Sequence, residues 1–303
     1  MKTRFPPDRG LTGRMLLTMF LLGLLYVVFA VALVVLLKSA VLAVLIAGAL
    51  LFAQYWFSDR IALYAMHGRV VTPDEAPDLH ALVDRLCALA DMPKPAVAIA
   101  DTDVPNAFAT GRSPKRSVIC ATTGLMGRLD TQELEGVLAH ELSHVAHRDV
   151  AVITIASFLG VLAGLITRFG LYSGLYGGRR GGRDQGNAAV VVLAVVAVSA
   201  VVYALAFLLT RALSRYRELS ADRAAALLTG RPSALASALT KVSGEMARIP
   251  SRDLRQVEAF NTFFFAPALS PEVSLSSLFS SHPPLQRRLD QLADLARQYG
   301  KQV

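Results

Sequence analysis

The stretch His140-Glu141-Leu142-Ser143-His144 places two histidines four residues apart, with a glutamate directly after the first. Residues four apart lie on the same face of a helix, so both imidazoles can reach one metal ion. A glutamate between them can then take a proton from the attacking water molecule. Because so short a pattern also arises by chance, the rest of the chain must decide whether this is a hydrolytic zinc site.

The composition places much of the chain in a membrane. Hydrophobic residues make up 53% of the sequence and the mean hydropathy is +0.45, which is too apolar for an ordinary soluble domain. The first two of four uncharged runs would measure roughly 66 Å as one helix, about twice the apolar thickness of a bilayer. We therefore predict four transmembrane helices in two hairpins, 15–58 and 150–210. The uncharged runs are 15–37, 39–58, 150–167 and 185–210.

The basic residues before the first run predict the orientation. They favour a cytoplasmic N-terminus, 1–14, and a retained membrane helix, because the apolar stretch is too long for a signal peptide. The hairpins then return 59–149 and 211–303 to the cytoplasm, where they form two parts of one domain. This predicts a multi-pass protein of the inner (plasma) membrane. The Gly- and Arg-rich loop 173–187 opposes this orientation, so the alternative is that the third and fourth runs are re-entrant.

The net charge of +8 does not indicate binding to nucleic acid. The arginines and lysines mostly flank the apolar runs, as is typical of cytoplasmic membrane flanks, and the sequence contains no base-stacking motif. The cysteines, Cys87 and Cys120, have no metal-type spacing, and we predict two free structural thiols.

The segments outside the membrane runs predict a mixed domain with a small sheet. Apolar residues recur at helical spacing between Leu79 and Leu86, and short strands are expected at 96–100 and 116–122. Asp130 with Glu133 resembles a capping box at the start of the helix that bears the pentad. Two further helices are expected, at about 210–229 and from Pro283 onward.

A third metal ligand can be sought by geometry, because two histidines leave a catalytic zinc one protein ligand short. Glu218 and Asp222 share a helix face, so the first could bind metal and the second orient a ligating imidazole. His144 and Glu218 would lie roughly 10 and 12 Å beyond the nearest membrane runs, on the same side. The alternative is a solvated acidic face paired with arginines. His147 shares the face of His140, and we predict an interfacial residue there.

Four motifs in order resemble those of the HtpX-like membrane zinc metalloproteases, which are related to the CAAX prenyl endopeptidases. The resemblance covers most of the chain and implies a mainly α integral membrane protein with a cytoplasmic α+β zincin-type catalytic domain. The motifs are Pro105-Asn106-Ala107-Phe108-Ala109-Thr110-Gly111, the pentad followed by Arg148-Asp149, the stretch Arg217-Glu218 to Asp222, and Ser281-His282-Pro283-Pro284 with Arg288.

The resemblance implies a role for each matching residue. One Zn²⁺ per chain would be bound by His140, His144 and Glu218, with Glu141 as general base. The segment Asn106, Ala107, Phe108 and Ala109 would hold the backbone of a polypeptide substrate by adding a strand to a sheet edge. His282 and Arg288 would polarise the scissile carbonyl and stabilise its oxyanion.

These observations predict a membrane-bound zinc endopeptidase, with misfolded membrane proteins as the expected substrates and the lipid bilayer as its surroundings. One alternative is a CAAX-type prenyl-protein endopeptidase. Another, of a different class, is a non-catalytic membrane scaffold that keeps a metal site for folding. Glu141 argues against the scaffold, since structural zinc needs ligands but no general base. A transporter is disfavoured because the four apolar runs contain no acidic residue.

Overall fold

The computed structural model describes residues 5, 7–37, 67–149, 185–248 and 282–300, and the isolated positions Gly48, Phe52, Trp56, Leu63 and Val152. In the described residues we number the elements in chain order: α1 Arg9–Leu37, β1 Gly68–Val70, α2 Pro77–Ala90, β2 Ala96–Ala100, β3 Ala107–Ser113, β4 Arg116–Thr122, α3 Thr123–Met126, α4 Thr131–His147, α5 Gln185–Thr229, α6 Pro232–Arg248 and α7 Leu285–Gly300.

The chain divides into two compact units. One comprises Met1–Thr12, Phe57–Ala151 and Arg211–Val303, and it contains the sheet and the pentad. The other comprises Gly13–Trp56 and Val152–Thr210, where Leu22, Phe29, Val202 and Ala206 pack together.

Among the described residues, two helices are long and apolar enough to cross a membrane. The spans are Arg9–Ala32 and Leu193–Thr229, with mean hydropathies of 2.6 and 2.5. Large apolar side chains on both are exposed, as lipid-facing positions would be; Phe20 is 69% exposed and Leu193 is 68% exposed. These helices cover the first and fourth predicted runs. The second and third runs, and loop 173–187 up to the start of α5, lie outside the described residues apart from isolated positions.

Helix α5 is one continuous element where the sequence predicted two. Its end at Thr229, before Gly230 and Pro232, agrees with the prediction. Its start differs from the prediction: the helix begins at Gln185 rather than near Thr210. The reason is that 185–229 contains no proline and a glycine only at its second position, so nothing interrupts the hydrogen-bond ladder.

The sheet has the strand order β1-β2-β4-β3, which leaves β3 at one edge. Strands β2 and β4 pair in parallel, with Ala96 opposite Val118, and the other neighbouring pairs are antiparallel. The predicted strands 96–100 and 116–122 are confirmed as β2 and β4. The three-residue strand β1 was not predicted, and β3 was expected only from the family resemblance.

Helix α4 crosses the interior of this unit and bears the pentad. The capping box predicted at its start is confirmed. The Asp130 side chain accepts hydrogen bonds from the backbone N–H groups of Gln132 and Glu133, and the Glu133 side chain accepts one from the backbone N–H of Asp130. The helix packs against β3 and against α6. A Cβ atom added at Gly136 would lie 3.3 Å from Leu235 Cα, so the backbones of α4 and α6 approach closely there. The pentad is thus held between the sheet edge and a second helix.

We expect Gly111→Ala to destabilise this unit by about 2–4 kcal/mol. Gly111 has a φ of 133°, and a Cβ there would overlap the Arg116 carbonyl oxygen and lie 2.6 Å from Ser117 Cα. The control is Gly244→Ala, an exposed position in α6 with no atom within 4 Å of the added Cβ. Alanine at position 244 should raise the free energy of unfolding by up to about 1 kcal/mol. Thermal unfolding in detergent measures both, and equal midpoints would contradict the strained geometry at Gly111.

Both cysteine thiols are expected to resist chemical modification in the folded protein. Burial raises the pKa of Cys87 to about 11 and that of Cys120 to about 12. Since the thiolate is the reactive form, both thiols should stay unmodified by an aromatic disulfide reagent at pH 8 and react fully in denaturant. A thiol that reacts within minutes under native conditions would show that its surroundings open readily.

Candidate metal centre and active site

Three potential metal ligands converge from helices α4 and α5. His140 Nε2 lies 3.3 Å from His144 Nε2 and 3.4 Å from Glu218 Oε2, and His144 Nε2 lies 3.6 Å from Glu218 Oε1. Ligands about 2.0–2.1 Å from a tetrahedral zinc are separated by about 3.3–3.4 Å. The three groups are therefore close enough to share one metal ion, with the two Glu218 distances measured to different oxygens of its carboxylate.

The other ring nitrogen of each histidine meets a carboxylate. His140 Nδ1 lies 2.9 Å from Asp222 Oδ1, and His144 Nδ1 lies 2.9 Å from Asp149 Oδ2. A carboxylate fixes the ring proton on Nδ1 and leaves the lone pair on Nε2 free for a metal.

The electrostatics of this cluster also suit a cation. The Nε2 atoms of the two histidines lie beside the Glu218 carboxylate, and all three side chains are at most 5% exposed. Burial alone would lower the pKa of His140, but hydrogen bonds with Asp222 and Glu218 outweigh it and raise the pKa to about 9. Burial alone would raise the pKa of Glu218, but the charge of His282 and its bond with His140 hold it well below the usual range. The donor set therefore fits a divalent metal ion, which would replace the proton that the carboxylates otherwise favour on His140.

Glu141 contacts the sheet edge with one of its carboxylate oxygens. Its Oε2 accepts a 3.0 Å hydrogen bond from the backbone N–H of Ala109 in β3, and the residue is 5% exposed. Burial raises the pKa of Glu141, partly opposed by the charges of His140 and His144. One carboxylate oxygen is thus fixed by the backbone of β3.

The predicted substrate segment lies at the start of the edge strand. Asn106, Ala107, Phe108 and Ala109 are all buried, and the Phe108 side chain belongs to the hydrophobic core. The N–H of Ala109 donates to Glu141, so it faces away from the neighbouring strand β4. In an antiparallel pair every second residue directs its backbone groups away from the partner strand, so β3 presents such groups on the side that β4 does not cover. A substrate could meet this segment only through its backbone.

His282 and Arg288 are both brought to the ligand residues. His282 Nδ1 lies 3.2 Å from Glu218 Oε2. Arg288 donates from Nε and Nη2 to the two oxygens of Asp222, at 2.6 and 2.7 Å, and is 1% exposed. These two hydrogen bonds pair Arg288 with Asp222, and its predicted contact with a scissile carbonyl stays a prediction.

Two buried charged residues of the site were quoted in the sequence motifs without a role. Asp149 bonds His144, and Arg217 Nη2 donates to Glu218 Oε1 at 3.1 Å. Asp149 can reach His144 because Arg148 has a φ of 58°, which is a left-handed conformation. The presence of an arginine in a sequence does not indicate that conformation. Arg217 stands next to a ligand, which is the one signal that pointed to it. His147 donates to the Ser143 carbonyl and packs against Phe5, and its predicted interfacial role stays a prediction.

Comparisons with known proteins agree with this geometry. Residues 73–296 match peptidase family M48. Protease HtpX homolog 1 of Streptomyces coelicolor is 64% identical over 301 residues, covering 99% of this chain and 98% of the relative. A protease HtpX homolog of Moorella thermoacetica is 52% identical over 298 residues, covering 98% of each chain.

The fold also has a counterpart among solved structures. The crystal structure of S. mikatae Ste24p superposes with a TM-score of 0.52 at 18% identity, covering 94% of this chain and 67% of that one. This likeness shows a shared fold, mostly helical with a small mixed sheet. The family match over 73–296 and the full-length relatives, to which this shared fold conforms, show that the chain belongs to peptidase family M48 and is a membrane metalloendopeptidase.

Proposed function

We propose that this peptidase is zinc-dependent, with His140, His144 and Glu218 holding one ion per chain. The supporting observation is the set of three ligand-to-ligand distances, 3.3, 3.4 and 3.6 Å. Two imidazoles and one carboxylate are also the ligand types that catalytic zinc sites use. Zinc bound there supplies a Lewis acid for the scissile carbonyl and lowers the pKa of water.

The roles of the remaining residues follow from their positions. Glu141 accepts a proton from the attacking water and later gives it to the leaving amine. Asn106 to Ala109 hold the substrate backbone along the edge of β3, which sets the scissile bond beside Glu141. His282, next to Glu218, donates a hydrogen bond to the developing oxyanion. For Arg288 we propose a different role from the predicted one: it fixes Asp222, and through Asp222 the ring of His140.

The zinc assignment is tested by metal content and by removal. Protein purified in detergent should contain about one zinc per chain and cleave an unfolded test protein. A chelator should abolish cleavage, and a stoichiometric amount of zinc should restore it. Cleavage that persists after complete removal of metal would overturn the assignment.

We further propose a protein of the inner (plasma) membrane with four transmembrane helices, 15–58 and 150–210 forming the two hairpins and loop 173–187 joining the second pair. The two parts of the catalytic domain, 59–149 and 211–303, would face the cytoplasm. The two candidate spans and the uncharged runs 39–58 and 150–167 support the count. The four basic residues before the uncharged run 15–37 support the orientation. Cysteine labelling of single positions in 173–187 from outside intact cells tests it, since protection there would contradict four full crossings.

For the substrates we propose misfolded membrane proteins, in a quality-control role. Support comes from the sequence, where His144 and Glu218 lie only six and eight residues from uncharged runs. A peptidase site so close to the bilayer favours cleavage of substrate loops that emerge from the membrane.

The substrate proposal is tested with a membrane protein that carries a destabilising substitution, beside its stable parent, both in liposomes with the wild-type peptidase or Glu141→Gln. Preferential cleavage of the destabilised form by the wild type supports the proposal. Equal cleavage of both forms, or cleavage of soluble peptides alone, would contradict it. A farnesylated peptide and its unmodified twin, in the same assay, test the CAAX-type alternative.

A further inference from the structure

Asp149 lies immediately behind one of the metal-binding histidines. Its Oδ2 accepts a 2.9 Å hydrogen bond from His144 Nδ1, and the residue is 1% exposed. Its other oxygen, Oδ1, is buried and has no hydrogen-bond partner among the described residues. A carboxylate buried this deeply costs several kcal/mol unless a nearby positive charge offsets it.

The backbone makes an unusual turn to bring Asp149 there. Helix α4 ends at His147, and Arg148 adopts a left-handed conformation with a φ of 58°. After that turn, a residue five positions beyond His144 reaches the ring nitrogen that faces away from the ligand cluster. A non-glycine residue in this conformation costs on the order of 1 kcal/mol, which the Asp149 contact offsets.

A second observation is the counter-charge. Arg217 is 6% exposed, and its Nη2 donates to Glu218. Burial alone would lower the pKa of Arg217, but the charges of Asp149 and Glu218 raise it, and Asp149 makes the larger contribution. Arg217 is therefore close enough to interact with the charges of both the carboxylate that backs His144 and the carboxylate of the third ligand.

The same arrangement recurs at the other histidine. Asp222 meets His140 Nδ1, and the guanidinium of Arg288 binds Asp222 through two nitrogens. Each imidazole is thus backed by an aspartate, and each aspartate has a buried arginine nearby. The two halves differ in backbone setting, since Asp222 lies inside α5 whereas Asp149 follows the end of α4.

We propose that Asp149 is a positioning residue for zinc, which acts through His144. It holds the proton on Nδ1, aims Nε2 at the ion, and strengthens that nitrogen as a ligand through its negative charge. Arg217 keeps the charge of Asp149 tolerable in the interior. This inference rests on the proposed zinc site, because an imidazole that binds no metal would gain nothing from being held in one tautomer.

The test measures zinc affinity by competition with a chelator in the full-length, detergent-purified protein, together with the unfolding temperature of the metal-free form. Asp149→Asn keeps an acceptor for Nδ1–H but removes the charge, and it should weaken zinc binding about tenfold with little change in the metal-free unfolding temperature. Asp149→Ala removes both and should weaken binding about 100-fold. The visible spectrum of Co²⁺ in place of zinc should change in Asp149→Ala, since the ring of His144 is no longer held.

The matched control is Asp103→Asn, which also removes an aspartate paired with an arginine, but at a side chain that is 92% exposed. Its zinc affinity should equal that of the wild type. If Asp149→Asn and Asp149→Ala bind zinc as tightly as the wild type, the positioning role is wrong and Asp149 merely stabilises the turn. If the wild type itself binds no zinc, the proposed function fails first, and this inference fails with it.

Discussion

Glu141→Gln is expected to reduce peptide hydrolysis by about 10³-fold or more while the zinc content stays at that of the wild type. Glutamine has nearly the same shape, and its amide oxygen can still accept the hydrogen bond from the Ala109 N–H. It cannot take a proton from water. Because Glu141 lies outside the three-ligand group, its replacement should leave metal affinity within about threefold of the wild type.

The measurement compares cleavage of an unfolded test protein and zinc content in the two purified proteins. Glu135→Gln is the matched control, since Glu135 is a buried glutamate on the same helix that pairs with Arg85 at 2.8 Å and Arg231 at 3.2 Å. That control should lose some stability and keep its activity. Equal cleavage by the wild type and Glu141→Gln would place the base elsewhere. Zinc in both proteins with cleavage in neither would favour the scaffold alternative.

The sequence predicted those elements whose local signals agree with their tertiary surroundings. Strand β2 is a short apolar run, mostly buried, between a proline and a polar loop, and the start of α4 has its complete capping box. Strand β3 has the sequence Ala-Phe-Ala-Thr-Gly-Arg-Ser, with few β-favouring residues, and it is extended because it pairs with β4. Helix α6 was not predicted, although Leu235, Leu239 and Val242 recur at helical spacing and lie on one buried face.

The candidate site divides in the same way. His140, His144, Glu218 and Asp222 were predicted because helical spacing alone puts each pair on one face, and the structure brings them together. Contacts that depend on irregular backbone were not predictable. Asp149 reaches His144 only because Arg148 is left-handed, and nothing in the sequence indicates that conformation. Arg288 needed the packing of α7 before its partner could be known, since 66 positions separate it from Asp222.

Glu218→Gln is expected to weaken zinc binding by about 10³-fold or more, a larger loss than any change outside the ligand group should cause. A neutral amide oxygen is a poor ligand for zinc, and its loss of charge leaves the buried Arg217 without the carboxylate that it contacts at 3.1 Å. A ligand that binds only the folded state adds about 2.7 kcal/mol at 100 times its dissociation constant. The unfolding temperature of the wild type should therefore rise with added zinc, and that of Glu218→Gln should not.

The comparison with Glu141→Gln gives this experiment its force. Both variants replace a buried glutamate in the site by its amide, and both should be inactive, so loss of activity alone cannot separate ligand from base. The response to zinc does: Glu141→Gln should be stabilised like the wild type, whereas Glu218→Gln should not. Glu245→Gln on α6, which pairs with Arg128 at 3.5 Å, controls for loss of an ordinary salt bridge and should respond to zinc normally. Full stabilisation of Glu218→Gln by zinc would mean that the third ligand is another residue, because a three-ligand site that loses its only anionic member cannot keep its affinity.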